Sequence, residues 1–355
     1  MSTVPFPVRS ATPQEIASQA APSSQQLSPV ALAPNRPSGA VLASPRFRSV
    51  SMFELVNADL PKREPLLAPW LLTQSLSMVH AWRGVGKTHM ALGIAYAVAT
   101  GGTYLRWSAP QGRPVLFIDG EMTAAQLQER LKAIIEGDDR DIEVPGDRLR
   151  LVTPDLLDDT APPDLADASD RAELQRIVDE QQPALIVVDN ISTLVRSGGG
   201  ENDSEAWIPV QQWALGMRRR GIAVLFIHHD GKGGKQRGTS KREDVLDAVI
   251  GLKHPEPYDQ ADGARFIVEF EKARHIHGED ARTFEAHLTQ DASSRQIWTT
   301  TDIEVSTLDR CVQAWNDGLH NVREIADELG VNKSNVSRAL KKARAMGLID
   351  QQKAA

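Results

Sequence analysis

Three stretches of the chain are short, apolar without interruption and contain β-branched residues, 115–118, 185–188 and 223–227, and Ser75-Leu76-Ser77-Met78-Val79-His80 reads as a further short strand. Continuous rather than alternating apolarity predicts strands covered on both faces, as parallel strands under helices are. Helical spacing follows or separates them over 90–99, 123–135, 171–180 and 204–219. This alternation predicts an α/β domain with a doubly wound, mostly parallel central sheet. A further strand is expected over 265–270. Residues 53–72 are apolar and punctuated by proline, which suits a packed lead-in to the first strand. Residues 154–170, rich in Asp and Pro, are expected to form an exposed acidic insertion.

The two ends carry different patterns. Residues 1–45 are rich in Ser, Pro, Ala and Gln, too polar to offset the entropy of ordering, and predict a disordered tail. Residues 46–301 hold the α/β pattern. Residues 302–355 predict a separate, all-helical helix–turn–helix unit of winged-helix-like kind: an amphipathic helix over 322–330 closed by Gly330, a turn at Val331-Asn332, and a polar-basic helix over 333–344. Gly347, Leu348 and Ile349 are placed where a wing begins.

Composition narrows the class. With 355 residues, 41% hydrophobic and 25% charged, the chain is long enough for one large domain and a small one. Its single cysteine, Cys311, excludes a disulfide framework or a cysteine zinc site and fits a reducing, cytoplasmic setting. No signal peptide is evident, and no apolar run approaches the roughly 20 residues of a membrane span. The formal net charge of −7 means that any nucleic acid must be held by local basic patches.

The chemistry concentrates at Ala81-Trp82-Arg83-Gly84-Val85-Gly86-Lys87-Thr88, a near-complete G-x-x-x-x-G-K-[ST] loop between the first strand and its helix. Glycine-rich backbone lets several N–H groups converge on phosphate oxygens, lysine reaches the β- and γ-phosphates, and the terminal hydroxyl binds Mg²⁺. Alanine at position 81 serves only at negative φ. Arg83 through Thr88, with His89, are therefore candidate nucleotide-binding residues, with ATP and Mg²⁺ as expected cofactors. Asp189, at the carboxyl end of a buried strand, is placed as the Walker B aspartate and metal partner of Thr88. Asn190 follows it, so the Asp-Glu pair typical of AAA+ ATPases is absent. The general base is expected at Glu121, on what is read as the strand beside the phosphate-loop strand, with Asp119 structural. His228 or His229 is expected to sense the γ-phosphate. The spacings of these with His254, His275 and His277 match no standard zinc site. Strand alternation places Lys272 and Arg274 on one side, where a basic pair could reach a neighbouring subunit's phosphates.

Two loops suit polynucleotide. One starts at Arg196. The other, 231–242, combines glycines with Lys232, Lys235, Arg237, Lys241 and Arg242, a composition for an electrostatic, sequence-blind grip on a phosphate backbone. In the second C-terminal helix, Ser334, Asn335, Ser337, Arg338 and Lys341 are expected to face a DNA groove; small helical modules also serve as protein docking units.

With these residues in place, the chain resembles RecA-fold ATPases of the RepA type, hexameric replicative helicases of plasmids and related mobile elements. The resemblance spans about 67–288 and rests on 83–88, on Phe117-Ile118-Asp119-Gly120-Glu121-Met122, on Val187-Val188-Asp189-Asn190, on His228-His229 and on 237–240. It implies Lys87 and Thr88 on ATP–Mg²⁺, Glu121 as catalytic base, Asp189 as Walker B, a histidine sensor and a basic finger from the next subunit, Lys272 and Arg274 matching the K-x-R pattern of the wider DnaB-like group. The expectation is a hexameric ATP-dependent DNA helicase. Its rival is an ATP-switched DNA-binding regulator or loader; a small-molecule P-loop kinase leaves the basic loop and the tail without a use.

Overall fold

A computed structural model describes residues 49–140, 146–156, 161–197, 204–231, 244–303 and 307–350. The expected N-terminal tail lies outside them. Residues 49–60 belong to a separate compact unit, in which Ser51 caps the short helix α1 (Met52–Val56) through a reciprocal capping box with Glu54.

The larger unit opens with the small antiparallel pair β1 (Pro65–Leu67) and β2 (Leu71–Leu72). Then follow β3 (Leu76–Ala81), α2 (Lys87–Thr100), and a second small pair, β4 (Thr103–Tyr104) with β5 (Trp107–Ser108). The chain continues through β6 (Val115–Asp119), α3 (Ala124–Glu136), β7 (Leu149–Val152) and α4 (Ala168–Gln181). Next come β8 (Leu185–Asp189), α5 (Ile191–Leu194), α6 (Ser204–Arg219), β9 (Ala223–His229) and β10 (Ala248–Lys253). Three antiparallel strands finish the domain: β11 (Arg265–Ala273), β12 (Phe284–Gln290) and β13 (Gln296–Asp302).

Among the described residues the main sheet has nine strands, in the order β13-β12-β11-β10-β3-β9-β8-β6-β7. From β10 to β7 every pairing is parallel; from β10 outward to β13 every pairing is antiparallel. β6, β8 and β9 are buried along nearly their whole length, which is why their sequences do not alternate; β3 is buried too, Ser77 and His80 included, whereas the edge strand β7 is only partly covered. One face packs Val79, Phe117, Val187 and Leu225 against α2, whose apolarity extends around its circumference. The other packs Met78, Ile118, Val188 and Phe226 against α4, α5 and α6, with Trp207 edge-on to Phe226. The expected α/β fold with a mostly parallel central sheet is therefore present.

Two expectations need correction. β6 does not lie beside the phosphate-loop strand: β9 and β8 stand between them. Nor is the acidic segment simply exposed. Asp164 and Leu165 are buried, and Asp164 accepts hydrogen bonds from the backbone of Arg196 and Ser197 and from the Ser197 hydroxyl. Its carboxylate satisfies the start of the next loop.

At the C-terminus α7 (Thr307–Asn316), α8 (Val322–Leu329) and α9 (Lys333–Ala345) enclose their own core of Cys311, Trp315, Ile325, Val336, Leu340 and Ile349. The local signals are complete: Asn321 and Asn332 cap α8 and α9, and Gly330, at φ 62°, ends α8 in the left-handed region that glycine adopts without strain. Residues 346–350 form turns and bends and no strand, so no wing is present within them.

Candidate active site

The phosphate loop joins β3 to α2 at the carboxyl edge of the parallel strands. Gly84 and Gly86 hold φ of +83° and +121°, which L-side chains rarely adopt, and a Cβ on Gly86 would lie 3.0 Å from the Phe266 ring. Ala81 is not among the residues at positive φ, so its methyl carries no backbone penalty. A cavity of about 640 Å³ opens over this loop, lined by Arg83, Gly84, Gly86, Lys87, Thr88 and His89 of the predicted set. Val85 is different: its side chain is buried in the core beneath, leaving only its backbone to a ligand.

Lys87 is buried, and its ammonium donates to the carbonyls of Ala81 and Trp82 at 3.0 and 2.9 Å. Burial pushes its pKa down to about 8, against the opposing pull of Asp189, Asp230 and Glu121. Asp189 ends β8 and is hydrogen-bonded by Thr88, yet its Oδ2 has no hydrogen-bond partner. Burial, then the neighbouring Asp119 charge, raises the Asp189 carboxyl to about 7. Asp119 is itself raised to about 6 by burial, while its Oδ2 accepts the Met122 N–H at 3.0 Å and fixes the turn after β6.

That turn brings Glu121 into the same cavity although its strand is three positions from β3. The twist of the sheet and the return of the chain toward the strand ends do what strand adjacency was expected to do. His229 Nε2 lies 3.2 Å from Glu121 Oε1 and 3.2 Å from Asn190 Nδ2. The hydrogen bond from His229, reinforced by that from Asn190, holds the Glu121 carboxyl below the usual range despite partial burial. Glu121 is thus kept ionised. His228 does not share this position. Strand alternation turns it to the opposite face, where it is buried outside the cavity lining, so of the two expected sensors only His229 reaches the site.

Other expected residues stand apart. Lys272 and Arg274 do not line the cavity of their own protomer. A register shift interrupts β11, and the strand ends at Ala273, so alternation alone does not fix Arg274; its Nη2 donates to Asp244 O at 2.6 Å. Lys232, Lys235, Arg237, Lys241 and Arg242 lie outside the described residues. His254 bonds to Arg265 O and His275 to Trp70 O. Among the described residues no group of three or more His, Cys, Asp or Glu is placed to hold a metal. Ser334, Asn335, Ser337, Arg338 and Lys341 are all exposed on α9, with Val336, Ala339, Leu340 and Ala343 facing inward.

Two lining residues, Arg130 and Tyr258, left no trace in the sequence, and His254 stood out only as a candidate zinc ligand. Arg130 comes from α3, in a pattern that reads as an ordinary solvated face. Burial lowers its guanidinium pKa while Asp189 and Asp119 oppose the shift. His254 and Tyr258, from the loop after β10, stack face to face at 3.6 Å along the same cavity. No motif marks them, because only the folding of that loop over the phosphate loop makes them neighbours of Lys87.

A parallel sheet, a phosphate loop at its carboxyl edge, and acids from two further strands facing one lysine define an α/β protein of P-loop kind. The chain belongs to the AAA domain family, whose model matches residues 43–235, more than half of its length. A MarR family model matches residues 316–355, which include α8 and α9. No curated protein matches the chain. Among solved structures, a KaiC-like protein from the hyperthermophilic archaeon Pyrococcus horikoshii OT3 is 14% identical, over 66% of this chain and 93% of that one, with a TM-score of 0.47. No described helix is long and apolar enough to cross a membrane.

Proposed function

We propose that the chain is an oligomeric, hexameric ATP-dependent DNA helicase of the RepA type, acting in replication of a plasmid or mobile element. The observation that carries the reading is the convergence of Lys87, Thr88, Asp189, Glu121 and His229 in one place, with candidate DNA loops leaving from the ends of that same strand group, beyond Arg196 and beyond Asp230. Lys87 and the loop amides bind the phosphates of ATP. Glu121 orients and deprotonates the attacking water, and His229, already bonded to it, registers loss of the γ-phosphate. A magnesium ion fits the orphaned Asp189 Oδ2 beside the Thr88 hydroxyl; one carboxylate and one hydroxyl leave room for phosphate oxygens and water, as Mg²⁺ prefers. Bound there, it would neutralise charge on the β- and γ-phosphates. The Tyr258–His254 stack and the Arg130 guanidinium supply flat surfaces for the base. Lys272 and Arg274 serve a neighbouring subunit's phosphates.

One observation favours a second reading. The separate core of the C-terminal helices and the MarR family match fit an ATP-switched regulator or loader that reads duplex DNA through Ser334, Asn335, Ser337, Arg338 and Lys341. Unwinding of a labelled forked duplex, with Lys87→Ala as control, separates the two. Strand displacement by wild type alone supports the motor. Hydrolysis stimulated by DNA without displacement overturns it in favour of the regulator.

A further inference from the structure

Behind the phosphate loop, on the sheet face away from α2, a buried histidine forms a charge cluster that the reaction does not use directly. His80, the penultimate residue of β3, is enclosed by strands on both sides. Its Nδ1 is hydrogen-bonded to Oδ1 of Asp230, the residue that follows β9, at 2.7 Å, and its Nε2 lies at ion-pair distance, 3.1 Å, from Oε2 of Glu271 on β11 without the alignment of a hydrogen bond. His228 is its cross-strand neighbour on β9. The side chains of His80 and Asp230 are 5% and 7% exposed.

Glu271 reaches His80 by two departures from regular structure. β10 pairs Val249 with Lys272 but Ile250 with Phe270, which leaves Glu271 as the extra residue of a bulge. The intervening strand offers Gly251, where a Cβ would come within 2.5 Å of Glu271 Oε1 and 3.4 Å of His80 Nε2. A side chain at 251 would close the route. The cluster is therefore built by the fold across β10.

Its position also matters. Asp230 N–H donates to Ala81 O at 3.0 Å, the same carbonyl that receives the Lys87 ammonium. One residue earlier, His229 holds Glu121. Movement of Asp230 is thus transmitted by one peptide unit to the residue that meets the general base. Burial opposes charge on His80, but its two carboxylate partners prevail and raise it to about 9. An imidazolium suits this geometry: the Nδ1–H donates to Asp230, and the charged ring faces the Glu271 carboxylate at ion-pair distance.

We propose that His80 is a positioning residue: as an imidazolium bound to Asp230 and Glu271, it locks the end of β9 to the phosphate-loop strand and to β11, and so sets His229 against Glu121. This rests on the ATPase reading for its effect on turnover, though not for its effect on the site's geometry.

The test uses the full chain with histidine labelled for NMR and His80→Gln for assignment. Glu271→Gln, at a half-exposed position, guards against misfolding of the buried variant. His80 should show imidazolium shifts at pH 7.5, and Glu271→Gln should shift the His229 resonances. With turnover of wild type established by its loss in Lys87→Ala, both variants should lower kcat about tenfold or more while nucleotide Kd changes less than about twofold. A neutral His80 at pH 7.5, unmoved His229 signals, or unchanged kcat in folded variants overturns the proposal. If wild type has no turnover, the ATPase reading fails, and the two NMR results still decide the positioning role.

Discussion

The phosphate-loop cavity and the C-terminal three-helix unit solve opposite problems. The cavity gathers Lys87, Asp189, Glu121, Arg130 and His229 from five places in the chain and takes much of their charge out of water. Burial lowers the Lys87 ammonium and the Arg130 guanidinium and raises the Asp189 carboxyl, while His229 holds Glu121 by a hydrogen bond. On α9 the candidate contact residues are successive turns of one helix, exposed to solvent and held only by the helix under them. Chemistry on phosphate needs the first arrangement, because buried charges and dipoles act strongly and need little reorganisation. Docking on a polyanion needs only the second.

The sharpest way to break the contrast is to remove one buried partner. Glu121→Gln should lower turnover about 10²- to 10⁴-fold and keep ATP binding, whereas Lys87→Ala should lose both; retained hydrolysis in the Gln variant removes Glu121 as base. Truncation in the tail core should act on stability alone. Leu340, 1% exposed in the tail core, should cost about 2–5 kcal/mol on truncation to Ala and melt the three helices while ATPase rates hold. Calorimetry beside turnover assays decides it, and a parallel loss of ATPase would show that the two regions are coupled.

Acidity provides a subtler probe. Carboxyls raised to about 7 at Asp189 and about 6 at Asp119 favour the protonated fold, so their stabilisation is complete below about pH 4 and is lost as pH rises through about 7. A Mg²⁺ ion needs the ionised Asp189. Affinity for Mg–ATP, followed by fluorescence titration, should therefore climb with pH up to about 7 and then level off. A flat profile contradicts the buried Asp189 as metal partner. The smallest effect belongs to the exposed helix: Arg338→Ala should weaken duplex binding at every sequence and lower the salt slope by about one, and a change confined to one sequence would make Arg338 a base reader instead.

Legibility followed the range of the interactions. The phosphate loop was plain because its glycines, Lys87 and Thr88 act within eight consecutive residues, and positive φ at Gly84 and Gly86 leaves little choice of side chain. Three of the strands declared themselves by unbroken apolarity, α8 by amphipathic spacing and Gly330, and α9 by its polar-basic pattern after the turn; the Asn321 and Asn332 caps only the structure showed. His229 could be narrowed only to a pair, because alternation chooses between neighbours once the faces of the sheet are known. Arg130, Tyr258 and the His80 cluster could not be found: their sequence surroundings look like ordinary helix, loop and strand.

The sequence by itself determined the phosphate loop, the alternation of buried strands with helices, and the C-terminal helix pair, since each is set by backbone conformation or burial within a short window. Only the tertiary structure decided that Glu121 reaches the phosphate-loop cavity from three strands over, that His229 rather than His228 meets it, and that a bulge and Gly251 admit Glu271 to His80. These depend on strand order, on which face of the sheet a side chain takes, and on the space a neighbouring strand leaves. Such quantities exist only once distant segments have packed together.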